Sequence, residues 1–242
     1  MTGGSRGIGA ATARLAAARG YDVCVNYRSN ADAASRVVAD VQAAGARAVA
    51  VAADVSNEAD VVRLFAECDA ALGRVDALVN NAAILATQMR VDAMDAARIA
   101  RVLATNVVGP FLCAREAVRR MSTKYGGGGG AIVNVSSGAS RLGSPNEYVD
   151  YAASKGALDT MTTGLAKEVA AEGIRVNAVR AGHIYTELHA SGGEPDRVER
   201  VKSLVAMKRG GQPEEIASAI LWLLSDEASF TTGAFLDVAG GN

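Results

Sequence analysis

A regular alternation of short apolar runs and longer amphipathic segments is the feature that most constrains how this chain can fold. Short runs rich in Val, Ile and Ala predict strands at 21–27, 46–53, 76–80, 132–135, 174–180 and 234–238. The longer segments predict helices at 8–19, 31–44, 57–72, 95–124, 150–172 and 213–225. A strand followed by a helix, repeated along a chain, is typical of a parallel sheet covered by helices on both faces.

The predicted fold class is therefore α/β, a Rossmann-type doubly wound parallel sheet in three layers, αβα. With 242 residues, half of them hydrophobic, the chain is long enough for one such domain, and we expect residues 1–242 to form it. Ligands of these sheets bind beyond the carboxyl ends of the strands. Functional residues are therefore expected just after the predicted strands.

The chain begins on a glycine-rich loop, which in this fold class normally follows a strand. Only Met1 and Thr2 precede Gly3. We therefore expect the first strand to be missing or to begin upstream of residue 1. Its absence would leave a gap in the middle of the sheet.

Charge and cysteine content favour a small-molecule partner. The net charge is −1, from 25 basic and 26 acidic residues without a charge block, so we predict neither a nucleic-acid partner nor a membrane surface. No apolar run approaches the roughly 20 residues that span a bilayer. Cys24, Cys68 and Cys113 form no CxxC pair, which favours free thiols and a cytoplasmic location.

The loop Thr2-Gly3-Gly4-Ser5-Arg6-Gly7-Ile8-Gly9 has glycines where a backbone can turn tightly and approach a pyrophosphate at a helix N-terminus. Its spacing, Gly-x-x-x-Gly-x-Gly, is not the usual dinucleotide fingerprint, so a purely structural turn is the alternative. The residues of this loop that we predict to contact a cofactor are Gly3, Ser5, Arg6, Gly7, Ile8 and Gly9.

Two further strand ends supply candidates for the nucleoside side of a cofactor. Asp54 can accept a hydrogen bond from an adenine amino group and Val55 offers its backbone, while the alternative is that Asp54 caps the next helix. The second strand ends on Asn26, Tyr27 and Arg28 instead of a carboxylate. With Arg6 nearby, Tyr27 and Arg28 favour the 2′-phosphate of NADP. NAD remains possible, because Arg28 alone could be a solvated charge.

Polar side chains interrupt two apolar segments later in the chain. At Asn80-Asn81-Ala82-Ala83 the amides can tie strands together and the small residues admit a cofactor, so Asn81 and Ala82 are predicted contacts; a polar turn is the alternative. Asn106 lies in an apolar helical stretch, where an unpartnered amide would cost about 1–3 kcal/mol. A structural hydrogen bond would explain it equally well.

Tyr151 and Lys155 are four residues apart and so share one helix face. Tyr-x-x-x-Lys is common by chance, but a tyrosine that titrates near neutral pH needs its anion stabilised by about 4 kcal/mol. Lys155 and a positively charged nicotinamide could supply this. Tyr148 is not a candidate, because the residue four positions on is Ala152.

Together these motifs resemble the short-chain dehydrogenase/reductase family from Thr2 to Gly241. The matching positions are Thr2, Gly3, Gly7, Gly9, Asp54, Asn80, Asn81, Ala82, Asn106, Tyr151 and Lys155. The resemblance adds a catalytic serine, Ser137, with Ser136 as the alternative because the spacing to Tyr151 is one residue longer than usual. Ala83 and Ala181 replace the family's common glycine and proline.

The resemblance implies hydride transfer between NADP(H) and the carbonyl or secondary alcohol of a small metabolite, such as a 3-oxoacyl thioester, a sugar or a ketone. Tyr151 would move the proton and Ser137 would orient the oxygen. Lys155 would lower the pKa of Tyr151 and hold the nicotinamide ribose, and Asn106 would position a relay water. The resemblance also implies a homo-oligomer, a tetramer, with nicotinamide contacts at Gly182, Ile184 and Thr186.

The alternatives are a catalytically weak cofactor-binding regulator and a methyltransferase, neither of which needs Ser137, Tyr151 and Lys155 together. No metal is predicted, because His183 and His189 lack nearby thiolates. Residues 183–209 are expected to form a lid that sets substrate choice, with a plain surface loop as the alternative. The glycines at 126–130 are interpreted as a flexible surface connection.

Overall fold

The computed structural model describes residues 1–241. Its strands are β1 (Val23–Tyr27), β2 (Ala48–Ala52), β3 (Ala77–Asn80), β4 (Gly130–Ser137), β5 (Ile174–Ala181) and β6 (Phe235–Val238). Its helices are α1 (Gly7–Ala18), α2 (Ala31–Ala43), α3 (Glu58–Leu72), α4 (Ala96–Leu103), α5 (Gly109–Met121), α6 (Ala139–Leu142), α7 (Val149–Val169), α8 (Leu188–Ser191), α9 (Arg197–Val201) and α10 (Pro213–Leu224). The predicted α/β class is confirmed.

All paired strands are parallel, and they form two sheets in the orders β1-β2 and β3-β4-β5-β6. Apolar side chains of the strands are buried on both faces. On one face Ile132 of β4 packs in the cluster that contains residues of α3 and α5. On the other face Val133 packs with α10. This two-sided burial explains why the strands read as continuous apolar runs.

The first residues of the chain connect the two sheets. The Met1 ammonium donates to the Cys24 carbonyl at 3.0 Å, and the Asn26 amide donates to the Met1 carbonyl at 3.0 Å. On the other side, the Thr2 amide donates to the Val79 carbonyl at 3.1 Å. Met1 and Thr2 therefore pair with the carboxyl ends of both β1 and β3.

Towards the amino ends of β1 and β3 the two strands have no partner between them in residues 1–241. A cavity of about 570 Å³ occupies this space, which we call the interstrand slot. Its lining includes Val23 and Cys24 of β1, Leu78 of β3 and Cys68 of α3. The slot lies between the facing edges of β1 and β3, and charged side chains such as Asp22 and Asp76 line it beside the apolar ones.

The predicted helix 95–124 is divided. It runs from Ala96 to Met121 with a π-helical turn, Ala104–Val108, between α4 and α5. Pro110 at the start of α5 lacks the amide hydrogen of a regular helix. The segment reaches a mean hydropathy of 1.2. By length and composition alone, an 18-residue window of this segment is apolar enough to cross a membrane, a property that core helices of soluble proteins share.

The glycine run 126–130 is not a flexible connection, so that interpretation is wrong. The Gly127 amide donates to Ser122 at 2.9 Å, and Gly130 is the first residue of β4. A Cβ on Gly130 would lie 2.4 Å from the Asp76 carbonyl oxygen. At Gly127, Gly129 and Gly130 the backbone passes too close to neighbouring backbone for a side chain, whereas a Cβ on Gly126 would meet nothing within 4 Å.

Candidate active site

The glycine loop turns into the N-terminus of α1, as the sequence predicted. Gly3 has a φ of +59°, a conformation that favours glycine. A Cβ on Gly9 would lie 2.2 Å from the Gly3 carbonyl oxygen, so only glycine allows so tight a turn. The loop fits a phosphate group, because α1 directs its free backbone amides towards it.

Two asparagines hold the loop in place. The Asn81 side chain donates to the carbonyls of Thr2 and Gly3, both at 3.0 Å. The Gly3 amide donates to Asn26 Oδ1 at 3.1 Å, and Asn26 Nδ2 donates to Ala53 at 2.9 Å. Asn26 is thus a buried structural residue. Asn81 links the loop to β3 across the gap between the two sheets.

A cavity of about 390 Å³, the loop cavity, extends from the glycine loop across the ends of β1 and β2. Most predicted cofactor contacts line it: Gly3, Ser5, Arg6, Gly7, Ile8, Tyr27, Arg28, Asp54, Val55, Asn81, Ala82 and Thr186. Gly9 does not line it, since Gly9 is packed inside the turn. The alternative for Asp54 is wrong, because Asn57 caps α3 while Asp54 accepts from Ser56 at 2.9 Å.

A second cavity of about 430 Å³, the tyrosine cavity, lies at the ends of β4 and β5. The predicted residues that line it are Ile8, Asn81, Ser137, Tyr151, Lys155, Gly182, Ile184 and Thr186. Three of these, Ile8, Asn81 and Thr186, also line the loop cavity. The two cavities therefore adjoin and form a trough from the glycine loop to Tyr151.

Ser137 ends β4 and Tyr151 lies in the first turn of α7. Burial raises the pKa of Tyr151 to about 12, and the nearby Ser137 hydroxyl opposes this rise. The phenol is therefore protonated at neutral pH. In this state it can donate a proton to a carbonyl oxygen.

Lys155 is 3% exposed and donates to the Val135 carbonyl at 2.7 Å. Burial lowers its pKa to about 8, while the Asp159 carboxylate opposes that fall. Its Nζ lies 5.6 Å from the ring centroid of Tyr151. The net shift of the Tyr151 pKa is upward, because burial of the phenol dominates.

The two serines at the end of β4 have different surroundings. Ser136 is 2% exposed and donates to Asp159 Oδ1 at 2.6 Å, and Arg180 donates to the other oxygen at 2.9 Å. Ser137 accepts from the Ala139 amide and lies near the Tyr151 oxygen. This geometry favours Ser137 over Ser136 for substrate contact.

Asn106 lies in the π-helical turn and is 1% exposed. Its Oδ1 accepts from the Ile84 amide at 2.8 Å, and its Nδ2 donates to the Ile84 carbonyl at 3.0 Å and to Ser154 Oγ at 3.1 Å. Both amide hydrogens are used, so this side chain cannot also donate to a relay water. It fixes the loop after β3 against α7.

Sequence reasoning missed the group formed by Ser136, Asp159 and Arg180. Asp159 is four residues after Lys155 on α7, so helical spacing could have placed them together. No local pattern identifies Arg180, since it reaches Asp159 only because β5 pairs with β4.

Comparison with known proteins agrees with this geometry. A family model described as Enoyl-(Acyl carrier protein) reductase matches residues 3–242. The chain belongs to the short-chain dehydrogenase/reductase family. It is therefore an NAD(P)-dependent oxidoreductase that acts on alcohols or ketones, as the motifs indicated.

Three similar proteins illustrate the family. The uncharacterized oxidoreductase YgfF of Escherichia coli (strain K12) is 64% identical over 100% of this chain and 98% of its own length. The 3-oxoacyl-[acyl-carrier-protein] reductase of Synechocystis sp. (strain ATCC 27184 / PCC 6803 / Kazusa) is 38% identical over 100% and 94%. A blue fluorescent protein from a metagenomic library, solved with NADPH, has a TM-score of 0.90 and 34% identity over 100% and 95%.

Proposed function

We propose that this protein transfers a hydride between NADP(H) and the carbonyl or secondary alcohol of a small metabolite. The observation that carries the proposal is the trough from the glycine loop to Tyr151. Its far end brings a protonated phenol, a serine hydroxyl and a buried ammonium into one cavity. A regulator without catalysis would have no need of this set.

The chain's residues act mainly on the proton and on substrate position. The nicotinamide cofactor supplies the hydride when bound. Ser137 donates to the carbonyl oxygen and orients it, and Tyr151 gives its phenolic proton to that oxygen during reduction. Lys155, charged below a pKa of about 8, stabilises the phenolate left behind. Asn106 contributes indirectly, because its hydrogen bond to Ser154 holds α7, the helix that carries Tyr151 and Lys155, in position.

NADP is the proposed cofactor because two cations border the adenosine end of the loop cavity. Within residues 1–241, neither Arg6 nor Arg28 joins an ion pair, and both are exposed. Both guanidinium groups are therefore available for a 2′-phosphate. A carboxylate at this point would repel that phosphate, and Tyr27 and Arg28 stand there instead.

The proposal also covers the domain organisation, the oligomeric state and the cellular location of the protein. Residues 1–242 act as one domain that carries both cofactor binding and catalysis. The protein works in the cytoplasm as a homotetramer. Exposed apolar side chains such as Phe111 on α5 and Trp222 on α10 support association.

The test measures NADPH and NADH oxidation with a panel of ketones, sugars and 3-oxoacyl thioesters. Tyr151→Phe should lower kcat by about 10²-fold to 10⁴-fold, because it removes the proton donor, yet leave the Kd for NADPH unchanged. Tyr148→Phe is the matched control, since the Tyr148 hydroxyl donates to the Gly192 carbonyl at 3.2 Å and the variant keeps the ring. Equal losses in both variants would overturn the catalytic assignment, and an inactive parent protein would overturn the enzyme proposal.

A further inference from the structure

One polar side chain in the tyrosine cavity is not used by the proposed mechanism. His183 follows the end of β5, and its backbone is fixed because its carbonyl accepts from the Gly211 amide at 2.9 Å. Its ring lines the same cavity as Ser137 and Tyr151. The described chain, residues 1–241, offers no hydrogen bond to either ring nitrogen.

The second histidine of the cavity differs in this respect. His189 Nε2 lies 3.0 Å from the Ile184 carbonyl oxygen, so this nitrogen carries a hydrogen and donates it. The His189 ring is therefore held by the protein. His183 alone retains both a donor and an acceptor for a bound molecule.

His183 is neutral at physiological pH. Burial lowers its pKa below the ordinary value of 6.5, and the positive charges of Arg197 and Arg200 lower it further. Only the carboxylate of Glu147 opposes these effects. A neutral imidazole can donate from one nitrogen and accept at the other, which suits a hydroxyl or carbonyl group.

The charges at the mouth of the cavity compensate one another. Arg197 pairs with Glu147 at 2.5 Å and with Glu194 at 3.3 Å. Arg200 pairs with Glu147 at 3.0 Å and also with Glu194. Two cations and two anions therefore form a closed group. None is left to bind a carboxylate or phosphate of a substrate.

Much of the remaining wall is apolar. Leu85, Leu142, Val201 and Leu204 line the cavity, together with Tyr148, while Ser144 and Thr186 add neutral polar groups. A mainly apolar wall with a few neutral polar groups selects a molecule of the same composition.

We propose that His183 determines specificity by binding a hydroxyl or carbonyl group next to the reacting carbonyl, so that the substrate is an uncharged α-hydroxyketone or diketone. This rests on the proposed function, since it names the substrate class of the same site. A free acid or a phosphorylated sugar would have to compete with Glu147 and Glu194 for the arginines at the mouth of the cavity.

The experiment compares 2-hydroxycyclohexanone with cyclohexanone, which differ only in the hydroxyl group. With NADPH, the wild-type kcat/KM should be about 10-fold higher for the hydroxyketone. His183→Phe should remove this preference, mainly by raising the KM for the hydroxyketone. His183→Asn, which keeps a donor and an acceptor, should restore part of it. The anion 2-oxocyclohexanecarboxylate should be a poorer substrate than either.

A binding measurement separates this inference from the proposed function. In the presence of NADP, cis-cyclohexane-1,2-diol should bind more tightly than cyclohexanol to the wild type, and equally to His183→Phe. Absence of turnover together with this difference would overturn the proposed function alone. Equal kcat/KM values or equal binding in the wild type would overturn the role of His183, as would a preference for the anion.

Discussion

The tyrosine cavity lies at the carboxyl ends of β4 and β5 and the interstrand slot between β1 and β3, and their polar groups differ in how they are satisfied. Around the cavity, Lys155, Asn106 and Ser136 each have short hydrogen bonds to named partners. Along the slot, β1 and β3 face each other with unpaired edges. The polar groups near the tyrosine cavity are therefore satisfied by hydrogen bonds. The facing edges of β1 and β3 are not satisfied by strand pairing.

The glycine loop depends on both regions. It is held by Asn26 from the two-stranded sheet and by Asn81 from the four-stranded sheet. Its position therefore depends on the distance between the sheets. We expect a change in the distance between the two sheets to weaken cofactor binding more than it disturbs the positions of Ser137, Tyr151 and Lys155.

Filling the slot should produce the largest change. Five apolar, β-branched residues added before Met1 can pair with β1 and β3, and an amide at Met1 keeps the hydrogen bond to Cys24 that the ammonium now makes. Burial of these side chains outweighs their ordering by about 3 kcal/mol. We expect the Tm from calorimetry to rise by roughly 6–12 °C.

The matched control is a five-residue Gly/Ser extension, which removes the terminal charge without adding apolar surface. It should leave the Tm unchanged. Cys68 provides a local readout, because it lines the slot and a hydrogen bond from Cys24 lowers its pKa. Iodoacetamide should label Cys68 in the parent chain and react more slowly after the apolar extension. Equal behaviour of the two extensions would show that the slot does not accept a strand.

Asn81→Ala should have an intermediate effect, because it breaks the connection between the sheets. The carbonyls of Thr2 and Gly3 would lose their donor, at a cost of about 2 kcal/mol in the free energy of unfolding. Urea titration measures this loss, and the Kd for NADPH should rise with it.

Gln42→Ala is the control for that variant, since this exposed amide makes only a long contact of 3.5 Å with Ala48. It should change stability by less than about 0.5 kcal/mol. If Asn81→Ala changed the free energy of unfolding as little as Gln42→Ala, the hydrogen bonds from Asn81 would not be needed to hold the glycine loop.

Asp159→Asn should have the smallest effect, confined to the tyrosine cavity. The Asp159 carboxylate raises the pKa of Lys155, so its removal lowers that pKa further below about 8. The ammonium would then be lost at a lower pH. We expect the alkaline limb of the pH profile of kcat/KM for NADPH to move to lower pH. Tyr151 should remain protonated over the same pH range.

Asp92→Asn is the corresponding control, because Asp92 pairs only with the exposed Arg90 at 3.2 Å. Its pH profile should match that of the parent. An alkaline limb of Asp159→Asn that stays in place or moves to higher pH would remove Asp159 from the electrostatics of Lys155.

Prediction from sequence was strongest where a local pattern carries the physical cause. Alternating apolar segments are enough to predict the parallel strands, and all six lie within a few residues of their predicted bounds. It was weaker at 126–130, where glycines serve close packing against Met121 and Asp76. It was also weaker at Asn106, because a π-helical turn has no distinct sequence pattern.

The sequence by itself determined the fold class, from periodicity, and the Tyr151 and Lys155 pair, from a spacing along one helix. It determined the family through the resemblance of its motifs, in order, along the whole chain. Tertiary structure alone decided that Ser136 faces Asp159, that Arg180 joins them, and that the His183 ring has no hydrogen-bond partner within residues 1–241. These facts depend on which strands are neighbours and on how deeply each group is buried. Such contacts join residues far apart in the chain, so no local pattern contains them.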